Sequence, residues 1–95
     1  MSTVEVRLPA ALADDAGGQR SVRVTVPAAG TVADVLDALA ARHPRLDRRL
    51  RDETGLLRRH VNVFVGADDV RAAHGLATSV TDGSTILVLP SVAGG

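Results

Sequence analysis

The sequence predicts an α+β fold in which a mixed β-sheet packs one face against a single main helix. Alternating apolar and polar residues near both ends of the chain predict the strands. An apolar stripe with helical spacing between them predicts the helix. A chain of 95 residues is long enough for one domain with its own core. We therefore predict one domain over residues 1–90 and a free C-terminal tail over residues 91–95.

The first two strands are predicted to form a β-hairpin. Residues 3–8 alternate between valine or leucine and polar side chains, and residues 22–26 do the same before Pro27. Between them, Gly17 and Gly18 supply the positive φ that a turn requires. We therefore expect two antiparallel strands joined by a long loop.

Thr31 is predicted to begin the main helix. Its hydroxyl can accept a hydrogen bond from a free backbone N–H group, and Asp34 lies three residues further on, as in a capping box. The residues of the helix that share one apolar face are Val32, Val35, Leu36, Leu39 and Ala40. Pro44 is expected to end this helix, and a short helical turn is expected within residues 45–55.

The second half of the chain predicts three more strands. Residues 60–65 alternate, a short edge segment is expected near residues 69–71, and residues 85–89 form the last strand before Pro90. If Ile86 and Val88 face the helix, the opposite face of the sheet carries Phe64, Leu87 and Leu89. The order of hairpin, helix, strand, short strand and strand is typical of the β-grasp arrangement.

The composition argues against several classes of function. The 11 basic residues are all arginine and are balanced by 11 acidic residues, so there is no basic excess for nucleic acid or an anionic membrane. Without lysine, the chain has no side-chain amine to receive another protein's C-terminus. Without cysteine, it has no disulfide or cysteine metal site. With no apolar run near ~20 residues and no signal peptide, we expect a cytoplasmic protein. We also expect the chain to be monomeric when free.

None of the residue patterns that are typical of an enzyme is present. The histidines at 43, 60 and 74 lack metal-ligand spacing, and the aspartate pairs at 14–15 and 68–69 lie in turn-like segments. The arginines at 45, 48, 49 and 51 alternate with acidic residues, so we expect a solvated face. We predict that the chain is not an enzyme and binds no metal or cofactor itself.

The C-terminal residues carry the clearest chemical signal. The uncharged end of the chain follows Pro90 and finishes with two glycines, which chance would produce in about 1 in 200 sequences. A frayed terminus is the alternative interpretation. A carboxylate must be activated before sulfur can replace its oxygen, and glycine can pass through a channel that excludes side chains. We predict that Gly95 carries the sulfur and that the segment threading into a partner is Val92, Ala93 and Gly94.

A docking surface is predicted beside the start of the tail. Phe64 is the only aromatic residue of the chain, and aromatic side chains often dominate interface energies. The predicted surface consists of Phe64, Leu87, Leu89 and Pro90. The alternative is that Phe64 is covered by a loop or is a lone exposed apolar residue.

The chain resembles the MoaD/ThiS family of ubiquitin-like sulfur carriers. The resemblance lies in residues 75–78 (GLAT), residues 82–85 (DGST) and the final strand ending in LPSVAGG. It extends to residues 16–22 (AGGQRSV), 60–65 (HVNVFV) and 68–71 (DDVR), and it is strongest to the cysteine-synthesis branch. The first loop, ALADDAG, departs from the family, which leaves partner contacts of that loop open.

The resemblance implies a route for the sulfur. An E1-like enzyme adenylates the terminal glycine with ATP, and sulfur then converts it to a thiocarboxylate. In the cysteine branch, a PLP-dependent cysteine synthase uses that sulfur with O-phosphoserine, and a JAMM-type zinc peptidase releases cysteine. The ATP, PLP and zinc would belong to these partners.

Several alternatives to this function remain open. The sulfur could go to molybdopterin, with the chain as small subunit of molybdopterin synthase, or to the thiamin thiazole. The chain could instead be a modifier joined to lysines of other proteins. It could also be a β-grasp binding module whose Gly94-Gly95 end is incidental.

Overall fold

The computed structural model describes residues 1–90 of the chain. In this part, five strands and three α-helices form in the order β1 (Ser2–Arg7), α1 (Ala10–Ala13), β2 (Ser21–Val26), α2 (Val32–Arg42), α3 (Pro44–Leu50), β3 (Val61–Val65), β4 (Asp68–Asp69) and β5 (Thr85–Pro90). Short 3-10 turns lie at Asp14–Ala16, Val70–Ala72 and Gly75–Ala77. None of the helices in this part of the chain is long and apolar enough to cross a membrane.

The strands form one mixed sheet in the order β2-β1-β5-β3-β4. The central pair, β1 and β5, is parallel, while β1 pairs antiparallel with β2, and β3 pairs antiparallel with β5 and β4. The main helix, α2, follows the first hairpin and contacts β2 and α3. The predicted α+β fold of β-grasp type is therefore confirmed.

The core lies between the sheet and the helices because the strand alternation and the helix stripe face each other. On the sheet, the buried apolar residues of β1 and β5 are Val4, Val6, Ile86 and Val88, each fully buried. On α2, four residues of the predicted stripe are buried, Val32, Val35, Leu36 and Leu39, whereas Ala40 is half-buried. Leu46 and Leu50 on α3 are fully buried in the same core. The face of the sheet that packs on α2 is therefore the predicted one.

Thr31 begins α2 through a reciprocal capping box. The Asp34 N–H donates to Thr31 Oγ1 at 3.4 Å, and the Thr31 N–H donates to Asp34 Oδ2 at 2.9 Å. Two backbone N–H groups that have no partner inside the helix are thereby satisfied. At the other end, α2 stops at Arg42, and Pro44 is the first residue of α3, a position where proline loses no helical hydrogen bond.

The connection between β1 and β2 is more ordered than the long loop expected from the sequence. It contains α1 and the 3-10 turn at Asp14–Ala16. Leu12 and Ala16 are four residues apart, so both face the core, and both are buried. The apolar alanine-rich segment therefore covers one end of the core rather than forming an irregular loop.

The arginine cluster after α2 is only partly the solvated face expected from the sequence. The arginines at 45, 48 and 49 are exposed, but the Arg51 side chain is only 12% exposed. Its guanidinium lies 2.7 Å from Asp47 and 2.9 Å from Asp37. Burial opposes the charge, but the hydrogen bonds to the two carboxylates raise the pKa of Arg51 above its ordinary value. Arg51 therefore joins α2 to the end of α3.

Replacing Thr31 by alanine tests the capping box. We expect Thr31→Ala to lower the free energy of unfolding by about 1 kcal/mol, because the Asp34 N–H in the first turn loses its acceptor, the Thr31 hydroxyl. Thr31→Ser keeps the hydroxyl and should retain most of the stability. Urea denaturation followed by circular dichroism measures both variants. Equal stability of the alanine variant and the wild type would contradict a stabilising cap.

Candidate functional site

The last strand brings the end of the described chain to the end of the sheet at which the parallel strands β1 and β5 both terminate. Because β5 runs parallel to β1, the strands end on the same side, with Leu87 opposite Arg7. Pro90 lies opposite Val61, the first residue of β3, and is exposed. The polypeptide continues from here to Gly95. Val92, Ala93, Gly94 and Gly95 lie outside the described residues, so their roles and the division of the chain at Pro90 stay predictions.

The face of the sheet opposite α2 carries a group of apolar side chains close to this end of the sheet. Phe64 on β3 lies directly opposite Leu87 on β5, and Leu89 is the next outward-facing residue of β5. Phe64 and Leu87 are half-buried, and Leu89 is 39% exposed. The strand register predicted for Phe64, Leu87 and Leu89 is therefore correct. We call this surface the docking face; its docking role stays a prediction. Pro90 follows Leu89 and lies opposite the buried Val61, so strand alternation places it on the α2 side of the sheet instead.

Polar side chains border the docking face on both sides. On β1, Glu5 and Arg7 lie opposite Thr85 and Leu87 of the same sheet face. On the other side, Asp69 lies opposite Phe64. An apolar centre with a polar rim is the usual composition of protein-protein interfaces. The arrangement is thus suited to binding another protein.

Glu5 carries a fixed negative charge on this rim. The Ser21 hydroxyl donates a hydrogen bond to its carboxylate, and Arg7 Nε lies 3.6 Å away. The hydrogen bond from Ser21, with a smaller effect of Arg7, holds the pKa of Glu5 below its usual value. The β1 side of the rim therefore carries an ionised carboxylate at neutral pH.

A small recess lies at the start of the tail. It is lined mainly by apolar side chains, with Arg49 and His60 among the lining residues. Arg49 Nη1 is 3.3 Å from Asp15 Oδ2, which ties α3 to the 3-10 turn after α1. Arg20 Nε donates to the carbonyl oxygen of Leu8 at 2.9 Å. The loops near Pro90 are thus held by side chains from distant parts of the sequence.

The hydrogen bond between Asn62 and Arg71 on the docking face was not predicted from the sequence. Asn62 lies opposite Leu89 on the outer face, and Arg71 Nη1 donates to Asn62 Oδ1 at 3.0 Å. Arg71 Nη2 also donates to the carbonyl oxygen of Arg58 at 2.8 Å. Strand alternation places Asn62 on the same face of the sheet as Phe64, so the alternation alone could have identified Asn62 as part of this face. The contact with Arg71 spans nine residues and depends on the tertiary fold.

The described residues hold no evident metal centre. Across residues 1–90, no three His, Asp or Glu side chains are grouped closely enough to hold a metal ion. His60 and His74 are exposed, whereas His43 Nε2 is buried and has no hydrogen-bond partner in this part of the chain. The predictions about cofactors stay predictions.

Residues 6–95 match the sequence model of the ThiS family. Sulfur carrier protein CysO of Mycobacterium tuberculosis is 39% identical over 94 residues, which span 97% of this chain and 98% of that protein. Small archaeal modifier protein 1 of Haloferax volcanii is 41% identical over 92 residues, which span 97% of this chain and 100% of that protein. These relatives match almost the whole chain.

Solved structures agree with the sequence matches. The crystal structure of M. tuberculosis CysO has a TM-score of 0.80 at 39% identity and covers 94% of this chain and 99% of its own. A chain of the Amycolatopsis orientalis BexX/CysO complex has a TM-score of 0.82 at 40% identity and covers 97% of this chain and 99% of its own. The resemblance seen in the sequence is therefore confirmed, and the chain belongs to the ThiS family.

Proposed function

We propose that this chain carries sulfur as a thiocarboxylate on Gly95 and donates it to cysteine synthesis from O-phosphoserine. The observation that carries the proposal is the Gly94-Gly95 end, in a chain 39% identical to Sulfur carrier protein CysO over 97% of its length. The docking face beside the last strand supports it, because a sulfur carrier must present its end to several enzymes in turn. The chain itself is not an enzyme and acts in the cytoplasm.

The chemistry follows from the properties of a terminal carboxylate. The carboxylate attacks the α-phosphate of ATP, which gives an acyl-adenylate and releases pyrophosphate. A sulfur nucleophile then displaces AMP and leaves the thiocarboxylate. The six residues from Pro90 to Gly95 span at most roughly 20 Å when extended, so Gly95 can enter a deep site while the sheet stays outside.

The partners of this route supply the catalytic groups. An E1-like adenylating enzyme binds ATP, a PLP-dependent cysteine synthase uses the sulfur, and a JAMM-type zinc peptidase releases cysteine. Each has to admit the tail, with Val92, Ala93 and Gly94 in a narrow channel. The CysO of Amycolatopsis orientalis forms a complex with BexX, which supports a carrier that works through complexes. When free, the chain is a monomer.

The docking face is proposed to bind these partners. Phe64 and Leu87 pair across β3 and β5, and Leu89 extends the same surface towards Pro90, where the tail starts. A partner that takes in the tail therefore meets these side chains first. Binding is stabilised when a partner covers the part of these apolar side chains that is still exposed to water.

A second candidate function is favoured by one observation, the 41% identity to Small archaeal modifier protein 1. In that case, the activated Gly95 would be joined to a lysine of a target protein. Because the chain has no lysine, it would act only as the donor and would not form chains through its own side chains. Sulfur donation to molybdopterin or the thiamin thiazole remains the alternative within the same chemistry.

The sulfur site can be tested by mass spectrometry. Incubated with the E1-like enzyme, ATP and a sulfide source, the protein should gain the mass of one sulfur minus one oxygen. Deletion of Gly95, or one residue added after it, should abolish the gain, because either change shifts the terminal carboxylate by one residue from the position at which it is activated. Circular dichroism should show the same fold for all three proteins. A deletion variant that still accepts sulfur would exclude Gly95 as the site.

The destination of the sulfur can be tested with the thiocarboxylate form. Mixed with the cognate synthase and O-phosphoserine, the carrier should gain the mass of a cysteine residue relative to its carboxylate form. The carboxylate form is the matched control and should gain nothing. Transfer to a molybdopterin precursor instead, or conjugates with lysines in cell extracts, would assign the chain to the corresponding alternative.

The docking face can be tested with Phe64→Asp. We expect the variant to bind the E1-like enzyme more weakly by about 2 kcal/mol or more, because a charge replaces the central apolar contact. Thr25→Asp adds the same charge to an exposed position of the edge strand β2 and should bind like the wild type. Isothermal titration calorimetry measures the affinities, and urea denaturation checks the fold. Wild-type affinity in a folded Phe64→Asp variant would refute the docking role.

A further inference from the structure

We propose that Asn62 and Arg71 together form a binding spot for a carboxylate of the partner that takes in the tail. The inference rests on the proposed use of the docking face and adds the chemistry that selects the partner. The spot lies at the root of the tail, since Asn62 is opposite Leu89, the residue before Pro90. A protein that admits the residues after Pro90 must therefore cover it.

The orientation of the Asn62 amide is fixed by Arg71. Arg71 Nη1 lies 3.0 Å from the oxygen of the amide, and a guanidinium has only donors. The amide oxygen must therefore face Arg71, and the amide NH2 group points away from it. Across residues 1–90, no acceptor pairs with Asn62 Nδ2. Asn62 thus presents a prearranged donor on the half-buried outer face of β3.

Arg71 is itself held in place by three hydrogen bonds. Its Nη2 donates to the carbonyl oxygen of Arg58 at 2.8 Å, and its backbone N–H donates to Asp69 Oδ1 at 2.9 Å. Only two of the five guanidinium N–H groups are used, one by Asn62 and one by Arg58. The other three guanidinium N–H groups have no acceptor among the described residues. They lie on an exposed side chain that the three hydrogen bonds hold beside β3.

The charge of the spot selects a carboxylate rather than a neutral oxygen. Both acceptors of the Arg71 guanidinium are neutral carbonyl oxygens, and no carboxylate lies within ion-pair distance of it in the described part of the chain. The neighbouring Arg59 is exposed as well. A partner that covered the spot with apolar groups alone would leave these donors without water or acceptor, which is costly. An aspartate or glutamate satisfies both the donors and the charge.

The decisive variant is Asn62→Asp. The new carboxylate can keep the contact with Arg71 as an ion pair, so the stability to urea should not fall. It removes the outward donor and neutralises the guanidinium, so it should repel the carboxylate of the partner. We expect the affinity for the E1-like enzyme, measured by calorimetry with the full chain, to fall about tenfold or more. Asn62→Ala, which keeps the Arg71 charge, should give a smaller loss.

Thr25→Asp is the matched control because it adds the same charge to the same face of the sheet away from the spot. If Asn62→Asp binds as Thr25→Asp does, while Phe64→Asp binds weakly, the spot is refuted and the docking face stands. If neither Asn62→Asp nor Phe64→Asp changes the affinity, the proposed docking face fails together with the spot. A loss in Asn62→Asp that shrinks as salt is raised supports the ionic contact.

Discussion

The parallel pairing of β1 and β5 at the centre of the sheet is the constraint on which the other features depend. Its register places Val6 beside Ile86 and buries both under α2. Because side chains of a strand alternate, the burial of Ile86 and Val88 forces Leu87 and Leu89 onto the outer face. The same pairing places the end of β5 at the end of the sheet where β1 also terminates. Core, docking face and root of the tail are thus set by one register.

The elements with strong local signals could be predicted from the sequence. The capping box of Thr31 and Asp34 depends on residues three apart, and the stripe of α2 depends on spacing within one helix. The outward position of Phe64 required only the alternation of β3 and the choice of its buried face. In these cases, local geometry and burial favour the same structure, so that tertiary contacts reinforce what the sequence already indicates.

Other features depend on contacts between distant segments and could not be predicted in this way. Arg51 lies in a charged stretch typical of solvent, yet α2 and α3 bring Asp37 and Asp47 to its guanidinium and cover it. The contact of Arg71 with Asn62 likewise exists only because the chain after β4 returns along the edge of β3. The pattern of residue types along the chain does not determine which distant residues an arginine side chain will contact.

The way β5 ends affects what a partner must do to take in the end of the chain. β3 begins at Val61, opposite Pro90, and β1 ends at Arg7, opposite Leu87, so neither neighbouring strand continues beside the chain after Pro90. Proline also has no N–H to donate to a ladder. An enzyme that draws in the end of the chain therefore breaks no strand pairing of the described sheet. In the proposed function, successive enzymes would exchange the carrier as a rigid body, without the free-energy cost of separating its strands.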